Sequence, residues 1–116
     1  MRINVRESVG ENAVTQDDGQ VIYNLIHDPL RQGQTVELDF EGVDVFASSF
    51  FNASVGRLLK DLERDALNVR LQFEHLSAFG KRVLHRVIEN AEEYYAASPD
   101  HRRAVDRIVQ ETAEAM

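Results

Sequence analysis

Residues 36–62, VELDFEGVDVFASSFFNASVGRLLKDL, decide the fold. Val36, Leu38 and Phe40 alternate with Glu37 and Asp39, the period-2 pattern of a strand. Glu41-Gly42 is a turn, and Val43 and Val45 make a short extended piece. From Ser49 the period lengthens to about 3.6. Phe51, Val55, Leu58, Leu59 and Leu62 fall on one helical face, with Arg57, Lys60, Asp61 and Glu63 outside it. A strand therefore hands over to an amphipathic helix, predicted over 50–64, through an acidic loop. Two adjacent serines, Ser48 and Ser49, sit at the handover and are followed at once by Phe50 and Phe51.

Outward from this stretch the same two periods alternate. Residues 2–7 carry Ile3 and Val5 on one side and predict a short edge strand, which can run antiparallel to the rest. Gly10, Glu11 and Asn12 make a turn. Thr15-Gln16-Asp17-Asp18 opens a helix, with a hydroxyl or carboxylate to cap it and acids at its positive end. Val21, Ile22, Leu25 and Ile26 form its apolar stripe, and Pro29 should end it near Asp28 or kink it. Residues 68–73, NVRLQF, read as another strand through Val69, Leu71 and Phe73. Ser77 caps a helix running to about Tyr95, with Phe79, Val83, Val87, Ile88, Ala91 and Tyr94 inward. Ser98-Pro99 opens a last helix with a thin stripe of Ala104, Val105, Ile108, Val109 and Ala113. The pattern predicts an α/β fold, a small mixed and mostly parallel sheet with helices packed on it. The α/β domain is assigned to residues 1–97 and a C-terminal helical extension to 98–116.

Composition narrows the function classes. The 116 residues suit one domain and include no cysteine, which excludes disulfides, thiolate metal sites and cysteine nucleophiles. The first residues, MRINVRESVGENAV, lack the apolar core of a signal peptide, and no apolar run approaches the roughly 20 residues of a membrane helix. A cytoplasmic protein without membrane contact is expected, and the Asn52-Ala53-Ser54 sequon is then without meaning. A formal net charge of −7 is the wrong sign for nucleic-acid binding. The basic clusters Lys81, Arg82, Arg86 and Arg102, Arg103, Arg107 lie among acids on helices and read as solvated faces.

The chain has no Walker loop, GxGxxG, HExxH or GxSxG motif. His85 and Glu89, four apart on a helix, supply two metal ligands where zinc needs three or four. Asp39, Ser48 and His75 near strand ends are the residue types of a hydrolytic triad, but without its spacing motifs. Neither enzyme, metal nor cofactor is expected. The serine pair remains. One serine suffices to cap the following helix. A phosphate on the other would find backbone N–H groups and add roughly two negative charges on an exposed surface.

The segment VELDFEGVDVFASSFFNASVGRLL resembles the strand–loop–helix centre of the STAS-like domain family of unknown function. The likeness rests on Leu38-Asp39-Phe40-Glu41-Gly42-Val43 and on Ser49-Phe50. Thr15-Gln16-Asp17-Asp18-Gly19 and the Ser77-led helix fit as well, so that it covers most of residues 1–92. That family is related in fold to anti-sigma-factor antagonists. These carry Asp-Ser-Ser-Gly at this junction and are phosphorylated on the first serine by a partner kinase. Here the matching positions are Ala47, Ser48, Ser49 and Phe50, so Ser48 falls on the phosphoacceptor position while Ala47 and Phe50 depart from the motif.

The resemblance implies a non-enzymatic regulatory module of bacterial signalling. Its partner would be a histidine-kinase-like ATPase or a sigma-regulatory protein. Asp39, Glu41, Asp44, Ser49 and Phe50 would form the docking surface around Ser48, with Asp39 bracing the loop through backbone N–H bonds. The alternative is an oligomerisation domain packing through its last helix, 99–114.

Overall fold

The computed structural model describes residues 1–96. The last helix, the 98–116 extension and the oligomerisation role assigned to them lie outside the described residues. The chain runs β1 (Arg2–Asn4), α1 (Val5–Val9), β2 (Asn12–Ala13), α2 (Gln16–Arg31), β3 (Val36–Asp39) and β4 (Val45–Phe46). It continues with α3 (Ser48–Ser54), a 3₁₀ turn (Gly56–Lys60), α4 (Arg64–Arg70), β5 (Leu71–Glu74) and α5 (Ala78–Ala96). Three strands form one sheet in the order β1-β3-β5, and β2 and β4 pair separately. The fold is mixed α/β, consistent with a STAS-like domain.

Every strand pairing among the described residues is parallel. β1 is an edge strand, as expected, but runs parallel to β3, with Asn4 opposite Asp39. It is also half the expected length. The Asn4 side chain accepts the Glu7 N–H at 3.0 Å and starts α1, so Val5 enters the core from a helix rather than a strand. The predicted turn at 10–12 leads into β2, whose Ala13 pairs with Phe46.

Thr15 caps α2 as expected, its hydroxyl accepting the Asp18 N–H at 3.1 Å. Pro29 does not end the helix. It gives up one N–H, and the last turn closes through Gln32 N–H on the Asp28 carbonyl at 3.0 Å. The 50–64 helix is shorter than its pattern suggests, ending at Ser54 before the 3₁₀ turn. Gly56 faces α5 closely there, since a Cβ would stand 3.2 Å from Val87 Cγ1. The 68–73 strand is displaced: α4 persists to Arg70, the strand is Leu71–Glu74, and Val69 is 72% exposed.

β3 sits in the middle of the sheet, with Val36, Leu38 and Phe40 buried. Phe40, Phe46, Phe51 and Phe73 pack around it, the Phe40 centroid lying 5.8 Å from Phe46 and 5.9 Å from Phe51. α3 is held on two sides, by α2 and by α5. This sandwich places the β4–α3 junction and the C-terminal end of β3.

Candidate functional site

Asp39 ends β3 and is the buried charged residue of the core, 4% exposed. A buried carboxylate needs partners. The Glu41 N–H donates to its Oδ1 at 3.0 Å, so the side chain braces the loop as expected. His75 Nδ1 lies 2.8 Å from the same oxygen, and Arg2 Nη2 donates to Oδ2 at 2.8 Å. Arg2 also reaches Glu74 at 2.7 Å and Glu37 at 3.4 Å, tying β1, β3 and β5 together. The Glu41 N–H, then His75, hold the Asp39 carboxyl at about 2 against the opposing effect of burial. The bond to Asp39 raises the His75 pKa above its ordinary value. His75 takes a left-handed backbone, φ 56°, a conformation in which Asn, Asp and His are enriched.

This clasp tests two chemistries weighed from the sequence. Asp39 and His75 do meet, as a triad would need. Ser48 makes no hydrogen bond with a histidine among the described residues and lines a different surface. Asp39, Glu41 and His75 also bring possible metal-ligand atoms within 4.8 Å of one another. Arg2 already places a cation on Asp39, and the ring nitrogen nearest the cluster faces the same carboxylate. The arrangement is an ion-pair clasp. His85 and Glu89 pair at 3.0 Å along α5.

At the β4–α3 junction the serines differ from the helix-cap reading. Ala47 is the residue before α3, and no side chain caps it. Ser48 and Ser49 occupy the first turn, both exposed. Ser54 is the buried serine, its hydroxyl donating to the Phe50 carbonyl at 2.9 Å. Phe50 was expected on the docking surface and is instead in the core, 1% exposed, packed edge-on against Phe51 at 5.4 Å. A seven-residue helix pressed between α2 and α5 buries more than one face, which leaves no outward place for this ring. Glu41, Asp44 and Ser49 are exposed, and Asp39 is buried.

Beside the junction a groove of about 640 Å³ runs between α3 and α5, with Phe46, Ser48 and Asn52 on one wall and Phe79, Arg82 and Arg86 on the other. Arg82 and Arg86 are exposed, as the solvated-face reading of their cluster expects, and both line this groove. Their spacing of four, with Phe79 one turn before Arg82, brings the three to one side of α5. Phe79 is 56% exposed on this rim rather than inward. A second hollow of about 420 Å³ between the 3₁₀ turn and α5 reaches Ala96, the last described residue.

No helix among the described residues is long and apolar enough to cross a membrane. Comparisons with curated proteins and with solved structures give no match. The family model described as a STAS-like domain of unknown function (DUF4325) matches residues 18–81. The match begins in the first turn of α2 and takes in β3, Asp39, the β4–α3 junction, β5 and His75, and Arg82 and Arg86 lie just past its end. Since it covers more than half of the chain, the chain belongs to the STAS-like domain family of unknown function.

Proposed function

We propose that the chain is a non-enzymatic, cytoplasmic interaction module that engages a regulatory protein through its β4–α3 junction, with Ser48 as a phosphoacceptor controlling that contact. The observation that carries this reading is the state of the serine pair. Ser48 and Ser49 stand exposed in the first turn of α3, and neither is used as its cap. Beneath them the support is packed: Phe50 and Phe51 are buried in the core, and Asp39 accepts the Glu41 N–H of the preceding loop. Exposed polar groups on a packed support suit recognition without large rearrangement. Glu41, Asp44 and Ser49 supply polar contacts, and Val45, 48% exposed, supplies an apolar one.

The relation to anti-sigma-factor antagonists points to a histidine-kinase-like ATPase or a sigma-regulatory protein as partner. In the phosphorylation step the γ-phosphoryl group of ATP held by the partner passes to Ser48 Oγ. ADP leaves, and the hydroxyl proton goes to a base of the partner. The product carries roughly two added negative charges at the centre of the contact surface.

The test is co-purification of the tagged chain from its native cells, with mass spectrometry of the retained proteins and of Ser48. Recovery of a kinase-like ATPase or sigma-regulatory protein, lost on substitution at the junction, supports the reading. Recovery of the chain alone contradicts it and favours self-assembly.

A further inference from the structure

We infer that the groove between α3 and α5 takes an acidic segment of a protein partner, its carboxylates on Arg82 and Arg86 and an apolar side chain on Phe79 and Val83. The inference rests on the reading of the chain as an interaction module and names the chemistry that the module recognises.

The charge distribution carries it. The chain is acidic, with a net charge of −7, and four of its eight described arginines pair with carboxylates. Arg2 pairs with Glu37, Asp39 and Glu74, Arg6 with Glu11, Arg31 with Asp61, and Arg64 with Glu92. Arg57 lies over the Tyr23 ring and donates to Gln20, and Arg70 reaches the Leu30 carbonyl. Arg82 and Arg86 make no ion pair or side-chain hydrogen bond among the described residues. Four apart on α5, they face one groove, and no acidic side chain lines it. Two neighbouring guanidinium groups left without a partner among the described residues, in an acidic protein, match carboxylates brought by another molecule.

The rest of the lining supports a peptide. Phe79 offers an exposed ring beside the arginines, and Val83 and Val87 form an apolar floor. Asn52 and Asn90 add uncharged amide groups whose side chains are unbonded among the described residues. The rim residues Ser48, Asn52, Phe79, Arg82, Arg86 and Asn90 are all exposed, so the groove is open along its length. Small-molecule sites bury roughly 70–90% of their ligand, which an open groove does not do. A nucleic acid would meet these two arginines against the repulsion of the whole chain. Ser48 shares the groove, so a phosphate on it would bring a competing dianion to the same arginines.

The experiment titrates the full chain with the fluorescent hexapeptide Glu-Glu-Leu-Phe-Glu-Glu, with backbone amide NMR locating the site. Two control peptides replace every Glu by Lys, or Leu-Phe by Ser-Ser, and inorganic phosphate is titrated alone. The expected result is saturable binding with shifts confined to residues 46–52 and 79–90. Affinity should fall by about tenfold or more in the Arg82→Ala/Arg86→Ala variant and fall with added salt. The thermal midpoint of that variant, unchanged from the parent, shows that folding is retained. A single Arg86→Ala variant with a partial loss serves where the double variant is unstable. Absence of binding, equal affinity for the double variant, equal binding of the lysine peptide, or phosphate alone producing the same shifts would each overturn the inference. These failures concern the groove alone, whereas recovery of only the chain in co-purification removes the module reading itself.

Discussion

Gly19 on α2 faces the Phe50 carbonyl of α3 so closely that a Cβ on Gly19 would collide with that oxygen and stand 2.8 Å from Ala53 Cβ. The two helices touch backbone to backbone, and a carbonyl cannot move aside as a side-chain end can. Gly19→Ala gains up to about 1 kcal/mol of helix propensity. The overpacking, roughly 1–3 kcal/mol, outweighs it. A net destabilisation is expected in urea denaturation, together with changed amide shifts along α3. Equal or greater stability would show that α3 is free to shift on α2.

The Asp39–His75 pair gives the domain a pH dependence whose sign follows from the two shifts. Asp39 is held at about 2, below its ordinary 3.8, so its contribution is complete above 3.8 and is lost as pH falls toward 2. His75 is raised above 6.5, so its contribution is complete below 6.5 and is lost as pH rises through the folded value. The pair therefore stabilises most between 3.8 and 6.5. His75→Asn tolerates the left-handed backbone and removes the imidazolium. The urea midpoint of the parent should decline above pH 6.5, and that decline should be reduced in the variant while the acid side persists. Parallel profiles for parent and variant would rule out the pairing.

The three residues at the head of α3 separate by stability. Phe50→Ala removes a ring from the core and should cost roughly 3–5 kcal/mol. Ser48→Ala and Ser49→Ala touch exposed, uncapped positions and should stay within about 0.5 kcal/mol of the parent. A helix cap would cost about 1 kcal/mol on such truncation. Denaturation of the three variants distinguishes the cases, and a cap-sized loss at either serine would return that residue to a structural role.

Ser48→Glu introduces a carboxylate beside Arg82 and Arg86 and should weaken the acidic hexapeptide severalfold, whereas Ser48→Ala should leave its affinity unchanged. Fluorescence titration of both variants makes the comparison. Equal affinities would separate Ser48 from the groove and remove the competition between a phosphate and an acidic partner.

Much of the frame was legible in the sequence because single residues carried local chemistry. Thr15 and Ser77 marked helix starts, and each accepts the expected N–H. Alternation from Val36 to Phe40 marked the central strand. Two errors came from short segments in which helix and strand periods coincide. Asn4 with Glu7 was an available cap signal inside the run read as a strand. Alternation with Leu71 points Val69 inward, whereas the residue of α4 that is buried is Leu67, four positions before Leu71. The burial of Phe50 was not legible, because it depends on two helices closing over α3. The Arg2 clasp depends on register, which sets Arg2 opposite Glu37 and brings Asp39 and Glu74 within its reach.

The most direct test of the interaction surface is hydrogen–deuterium exchange of the chain alone and bound to the partner recovered with it. The account expects new protection in residues 41–54 and along α5 from Phe79 to Asn90, with the outer face of α2 unchanged. Protection confined to α2, β1 or α4, with the β4–α3 junction exchanging as in the free chain, would contradict it.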